Sequence, residues 1–268
     1  MELGLIGRTA VITGGSKGIG RAVAKGLAAE GVNLVLLARG KDLLDQTADE
    51  IRQSSGVSVL ALPTDITQME SVKAAAEAAA GQFGTLHILI NNAGGPIRRM
   101  ERQITWSDDE WLADLNLKTV GMLRAVQSFL PHMARDGSGR IINISGVAGT
   151  SVLIPALTHG LNNSAMIHAT KYMAQDLASD QITVNVVVPG ALVATEWREA
   201  WAENMAKNQG KTKAEFLADY CRQKGILAGR WATMEEVSDV IVFLASDRAR
   251  YINGAQIAVD GGYSVNAR

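Results

Sequence analysis

The chain is poor in the residues from which disulfide scaffolds, metal centres, nucleic-acid binders and membrane spans are built. A single cysteine, Cys221, stands in 268 residues. It can close no internal disulfide and supply no multi-thiolate metal site, which fits a reducing cytoplasm. The four histidines, His87, His132, His159 and His168, are scattered without metal-ligating spacing, so no metal is expected. Charge of one sign is also missing, since 26 Lys and Arg face 27 Asp and Glu. Without a basic surplus to displace counterions, neither nucleic acid nor an anionic membrane is expected as the main partner, and a small molecule is the default ligand. No apolar run reaches the length of a bilayer span, and Met1 to Gly7 has no basic segment leading into an apolar one. No targeting or anchoring segment is therefore expected. Pro- or Ser-rich linkers and internal repeats are absent, and the one low-complexity stretch, Ala74 to Ala80, is a good helix former.

What is present is 47% hydrophobic residue content, enough for a full core in a single domain over residues 1–268. Runs rich in Val, Ile and Leu recur at Thr9 to Ile12, Leu34 to Leu37, Val57 to Leu60, Leu86 to Ile90, Ile141 to Ile144, Val184 to Val188 and Ile257 to Val259. Such runs are what strands buried on both faces look like. Helical stretches lie between them, beginning with Ile19 to Ala29 and Lys41 to Gln53, and Ser107-x-x-Glu110 and Thr233-x-x-Glu236 read as capping boxes. Strand and helix alternate throughout, which with right-handed crossovers predicts an α/β, Rossmann-type, doubly wound parallel sheet of about seven strands. Residues 191–228 break the rhythm: they are long, carry Trp197, Trp201, Phe216 and Tyr220 among charges, and follow a strand. A segment in that place borders the ligand crevice of such sheets, and a helical substrate lid is expected.

The first strand runs into Thr13-Gly14-Gly15-Ser16-Lys17-Gly18-Ile19-Gly20 and then directly into a helix. Glycines there permit a tight turn and close approach to a pyrophosphate, while the helix offers free amides and the positive end of its dipole. The second strand ends Leu36-Leu37-Ala38-Arg39, with no acid to hold the adenosine ribose hydroxyls. Arg39 would accept a 2′-phosphate instead, and Lys17 would add a second positive charge, so NADP(H) is expected over NAD.

Further motifs follow in order: Asp65-Ile66-Thr67, Asn91-Asn92-Ala93-Gly94, Asn116 in the helix after Trp111, Pro189-Gly190, and Tyr251-Ile252-Asn253-Gly254 leading to Val259-Asp260-Gly261-Gly262. With the glycine turn, they make the chain resemble the short-chain dehydrogenase/reductase family over essentially the whole stretch from Gly7 to Gly262. The resemblance implies that Asp65 and Ile66 contact the adenine, that Asn92, Ala93 and Gly94 line the cofactor cleft, and that Pro189 and Gly190 border the nicotinamide. It implies that Thr195, one position later than the family's Thr, holds the carboxamide. It also implies self-association as a dimer or tetramer through the helices carrying Asn116 and Lys171.

Members of that family that interconvert alcohols and ketones use a Ser to hold the substrate oxygen, a Tyr to move the proton, a Lys four residues after the Tyr, and an Asn in the preceding helix. By this resemblance Asn116 and Lys171 fit, with Lys171 also on the nicotinamide ribose. Gly146 stands where the Ser belongs, and Ile167, four before Lys171, is not Tyr. Positioned acid catalysis speeds hydride transfer to a carbonyl, so a substitute is sought in the polar stretch Thr150 to Thr170, which reads as a long loop. His159 titrates in the right range and Ser145 would hold an oxygen, but His159 also reads as an ordinary loop residue and Ser164 as a helix N-cap. Arg98, Arg99 and Arg102 follow the Asn91 to Gly95 turn toward the cleft mouth, where they would receive an anionic substrate such as a carboxylate or acyl phosphopantetheine, but with Glu101 among them they read rather as a solvated loop. The expectation is an NADP(H)-dependent oxidoreductase with a non-standard proton donor, acting on a small carbonyl, alcohol or activated alkene. The alternative is a cofactor-binding pseudoenzyme or a lyase without net hydride transfer.

Overall fold

In the computed structural model, residues 2–95, 102–153, 156–190, 193–194 and 196–266 are described. The apolar runs become strands β1 (Thr9–Thr13), β2 (Asn33–Ala38), β3 (Val59–Pro63), β4 (Ile88–Asn91), β5 (Arg140–Ile144), β6 (Thr183–Pro189) and β7 (Gln256–Val259). They form one 7-stranded parallel sheet in the order β3-β2-β1-β4-β5-β6-β7. The third strand starts later than its apolar run, because Val57 precedes it and the ladder to β2 begins at Val59. The inner strands β1, β4 and β5 are buried at every position, whereas the outer strands β3 and β7 are largely half-exposed, so the doubly buried reading fails at the sheet edges.

Helices α1 (Gly18–Ala29), α2 (Lys41–Ser55), α3 (Met69–Phe83), α4 (Asp108–Leu115), α5 (Gly121–Phe129), α6 (Leu157–Asp176), α7 (Glu196–Asn208), α8 (Lys213–Lys224) and α9 (Met234–Ala245) fill the connections. Alternate residues of each strand point to opposite faces. Ala10, Ile12, Leu34, Leu36, Ile88 and Ile90 pack in one layer with Val23 and Leu27 of α1 and Val237 and Ile241 of α9. Val11, Val35, Leu37, Leu89 and Ile141 pack in the other with Ala75 of α3, Phe129 of α5 and Met166 of α6. Capping boxes start α4 at Ser107 and Glu110 and α9 at Thr233 and Glu236, and a third starts α8 at Thr212 and Glu215.

Two elements depart from the sequence pattern. Between α4 and α5 the chain widens into a π-helical turn, Asn116–Val120, a form often found at functional sites. The stretch read as a long loop is mostly helix, since α6 begins at Leu157 and includes both His159 and Ser164. Residues 191–228 supply α7 and α8, whose Trp201, Phe216 and Tyr220 cluster with Trp231; the Trp201 and Trp231 rings stack with centroids 6.1 Å apart. Among the described residues no helix is long and apolar enough to cross a membrane.

Candidate active site

Strand order reverses between β1 and β4, and the crevice beyond the carboxyl ends of those strands is where open α/β sheets bind ligands. The backbone there is tied closely. The Thr13 hydroxyl donates to the Ile90 carbonyl and accepts from the amides of Asn92 and Ala93, and the Asn92 amide nitrogen Nδ2 bonds the carbonyls of Thr13 and Gly14, both at 3.0 Å. Gly14 and Gly18 take the left-handed conformation, with φ of 69° and 57°. A Cβ on Gly20 would lie 2.2 Å from the Gly14 carbonyl oxygen and 2.5 Å from Asn92 Nδ2, so only glycine lets α1 start this close to the turn. Lys17 is the N-cap of α1 and makes no side-chain cap bond, so no capping side chain covers the first amides of the helix. Ser16 is buried, and its carbonyl accepts from Thr47. Ile19 packs in part against the core.

Arg39 and Lys17 are both exposed beside this turn. Asp65 is held below the usual carboxylate range, chiefly by the Thr67 amide and hydroxyl and further by the charges of Arg39 and Arg124. Ile66 is buried, and a Cβ on Gly121 would touch it at 3.0 Å. Asn91 donates to Asn143, which donates to Thr170, a buried chain tying β4 to β5 and to α6. Gly190 closes on Asp260, whose Cα would lie 3.0 Å from an added Cβ. Thr195, Arg98 and Arg99 lie outside the described residues.

The loop after β5 seats on α6 at Asn163. The Ser145 hydroxyl donates to the Asn163 carbonyl at 3.1 Å, the Ser164 hydroxyl donates to the Gly149 carbonyl at 2.8 Å, and Cβ atoms on Gly146 and Gly149 would lie 3.0 and 2.7 Å from Asn163 side-chain atoms. The helical turn facing Gly146 therefore carries Asn163, with His159 one turn earlier on the same face. The His159 imidazole is half-buried, its Nδ1 shielded from solvent and without a partner among the described residues. Burial pushes its pKa down, the Lys118 charge pushes it further, and Asp114 and the Gly95 backbone oppose them.

Four expectations change. Lys171 is exposed and sits eight residues beyond Asn163, about 12 Å along the helix, so it faces neither the loop nor Gly146. Ile167, set in the Tyr position by counting back from Lys171, is buried among Val147, Val186 and Val188. Ser145 is buried, with its hydroxyl proton spent on the helix backbone, and Ser164 caps nothing, lying inside α6. Asn116 does fall at the π-helical turn, its carbonyl accepting from Arg124.

The residue that sequence reasoning missed is Lys118. It leaves the π turn beside Gly94, which a Cβ would bring to 3.9 Å from Lys118 Cδ, and its ammonium donates to Asn163 Oδ1. Loss of hydration lowers its pKa to about 8, against the opposing charge of Asp114. Asn162 locks the same junction: its Oδ1 accepts from the Thr119 amide and hydroxyl, and its Nδ2 donates to the Thr158 carbonyl.

A parallel sheet of this strand order, with an uncapped glycine turn at its reversal, is the framework of a doubly wound, dinucleotide-binding α/β protein. Residues 14–264 match the family model described as enoyl-(acyl carrier protein) reductase, and the chain belongs to the short-chain dehydrogenase/reductase family. It is 34% identical over 261 residues to 3-oxoacyl-(acyl-carrier-protein) reductase FabG of Staphylococcus aureus, covering 95% of this chain and 97% of the relative. Among solved structures it is similar to L-sorbose reductase from Gluconobacter frateurii complexed with NADPH and L-sorbose (TM-score 0.89, 32% identity, 98% of this chain and 99% of that one). It is also similar to YwfH, an NADPH-dependent reductase involved in bacilysin biosynthesis (TM-score 0.83, 31% identity, 96% and 98%).

Proposed function

We infer that the protein is an NADP(H)-dependent reductase that interconverts a small carbonyl compound and its alcohol, with His159 as the group that moves the proton. The observation that carries this reading is that Asn163 packs against the Gly146 loop, with His159 one turn earlier on the same face of α6. The glycine cradle and the bare first turn of α1 fit a pyrophosphate, Arg39 and Lys17 fit a 2′-phosphate, and Asp65, Ile66, Asn92, Ala93, Gly94, Pro189 and Gly190 border the cleft. Bound NADPH supplies the hydride. The His159 ring supplies the proton that the substrate oxygen takes up, and in the reverse direction it accepts that proton from the alcohol. Asn163 and the Gly146 loop shape the wall beside the ring, and α7 and α8, with their aromatic cluster, form the lid over the substrate. Self-association is supported by the exposed Leu112, Leu123, Leu161 and Tyr172 on α4, α5 and α6.

The relatives' names direct the substrate search toward ketones, both 3-oxoacyl thioesters and polyhydroxy ketones. In an NADPH-oxidation assay over such a panel, the wild type consumes cofactor with at least one ketone. His159→Ala then loses roughly 10²- to 10⁴-fold in kcat while binding NADPH within about a factor of two of wild type. A variant that keeps full speed removes His159 from the reaction. A wild type that binds NADPH and consumes none of it across the panel makes the protein a cofactor binder without hydride transfer.

A further inference from the structure

A lysine that leaves one helix to bond the side chain of another, in a cleft wall, has given up hydration for a reason. We propose that Lys118 is the positioning cation of this site: from the π-helical turn it holds the Asn163 side chain and sets its charge against the His159 ring, one turn earlier on the same face of α6. The proposal rests on the reading of His159 as the proton-moving group.

Three observations carry it. The first is geometric. The stem of Lys118 passes Gly94, in the turn at the end of β4, and its ammonium ends on Asn163, so one side chain spans from the β4 turn to the helix that bears His159. A surface lysine would gain nothing from that path, since a solvated ammonium is cheaper than a buried one. The second is the backbone. The turn that projects Lys118 is π-helical, and it is pinned by Asn162, which accepts from both the amide and the hydroxyl of Thr119. Lys118 therefore leaves a fixed point. The third is the set of unpaired polar atoms around the junction. Asp114 Oδ2, His159 Nδ1, Gln103 Nε2 and Thr158 Oγ1 are shielded from solvent without partners among the described residues, and the Thr158 amide donates to Gln103 Oε1. Such a concentration of unsatisfied groups belongs to sites where charge is arranged for chemistry rather than for stability.

The charged groups that face the ring among the described residues are Lys118, on the π turn, and Asp114, one turn before it on α4. Lys118 opposes a charge on the ring and Asp114 favours it. In reduction the ring's N–H bond breaks as the O–H bond of the product alcohol forms. The imidazole is left neutral and is recharged by water. A cation beside the ring makes the protonated ring a stronger acid, so the proton passes more readily to the substrate oxygen. Because Lys118 itself loses its proton near pH 8, this effect fades as pH rises, so ring and ammonium titrate as a coupled pair.

The test needs no substrate. The His159 ring is titrated by NMR in the unliganded wild type and in Lys118→Met and Lys118→Arg. Removing the cation leaves Asp114 facing the ring alone, and the His159 midpoint rises by on the order of one pH unit in Lys118→Met. In Lys118→Arg, which keeps the charge, the midpoint stays within about 0.3 unit of wild type. An unchanged midpoint in Lys118→Met overturns the proposal. If Lys118→Met does not fold, Lys118→Arg decides alone, and a midpoint that rises to the value of a free imidazole overturns the proposal. Once a turned-over ketone is in hand, the high-pH limb of kcat moves upward in Lys118→Met while the KM for NADPH stays the same. A titration that behaves as expected in a protein that oxidises no NADPH separates failure of the reductase reading from failure of this one.

Discussion

At the residue scale, the lysine that meets the turn of α6 facing the Gly146 loop is Lys118 and not Lys171. Lys171 carries the familiar local pattern but lies exposed two turns past the loop, whereas Lys118, on another helix, reaches Asn163. Replacing Lys171 with Ala should change neither NADPH affinity nor turnover by more than about twofold, because exposed residues away from a site contribute little. Fluorescence titration and initial rates check this, and a loss matching that of His159→Ala would return Lys171 to the site. Arg39 makes the opposite case. It stands at the end of β2 where an acid would hold a ribose, so Arg39→Asp should weaken NADPH binding by roughly 10- to 100-fold, the worth of a charge-assisted contact, and tighten NADH binding or leave it unchanged. Titrations with both nucleotides measure it, and equal losses for the two would separate Arg39 from the 2′-phosphate. The sequence alone made Arg39 legible, since the end of a strand is a local feature. The meeting of Lys118 and Asn163 was not legible, because they are 45 residues apart and come together only in the folded chain.

At the element scale, the helices whose apolar residues recur with a clear period were the ones read correctly. Helix α1 shows Val23 and Leu27 on its buried face, and its start after the glycines follows from the sequence. Helix α6 buries Thr158, Asn162, Asn163 and Thr170 together with Met166 and Ile167, so its buried face carries no apolar stripe and its first half reads as a polar loop. The turn that meets the Gly146 loop therefore lies two turns before Lys171. The glycine turn is held by sterics, which makes it testable as an element. A methyl group on Gly20 would meet the Gly14 carbonyl at 2.2 Å, so Gly20→Ala should cost about 1–3 kcal/mol of stability and weaken NADPH binding at the same time. Denaturant unfolding and cofactor titration measure both, and a variant with wild-type stability and affinity would show that the turn can widen freely. The capping box at Thr212 and Glu215 starts α8 inside the charged, aromatic stretch that follows β6.

At the scale of the whole molecule, two half-buried histidines tie stability to pH. His87 accepts a hydrogen bond from the Thr9 amide through Nδ1, and burial lowers its pKa; His159 is lowered by burial and by Lys118. Both rings are neutral in the folded state where the unfolded chain, with ordinary imidazole values near 6.5, already binds protons. Their contribution is complete above that value and is lost as pH falls toward the folded values. The Tm should therefore fall by roughly a few degrees from pH 7.5 to pH 5.5, as followed by circular dichroism. A Tm that holds or rises across that interval would contradict the buried, neutral state of these rings.

The amino-acid sequence by itself determined the alternation of strand and helix, the glycine turn after β1, the basic end of β2 and the capped helix starts, because each depends on neighbours along the chain or on a period of two or 3.6 residues. Strand order placed Thr13 beside Asn91 and opened the crevice where those local features meet. Only the tertiary structure decided which turn of α6 faces the Gly146 loop. It also decided which lysine reaches that turn, because both depend on the distance between helices that the chain visits far apart. A buried polar helix face and a π-helical turn leave no periodic mark from which that distance could be read.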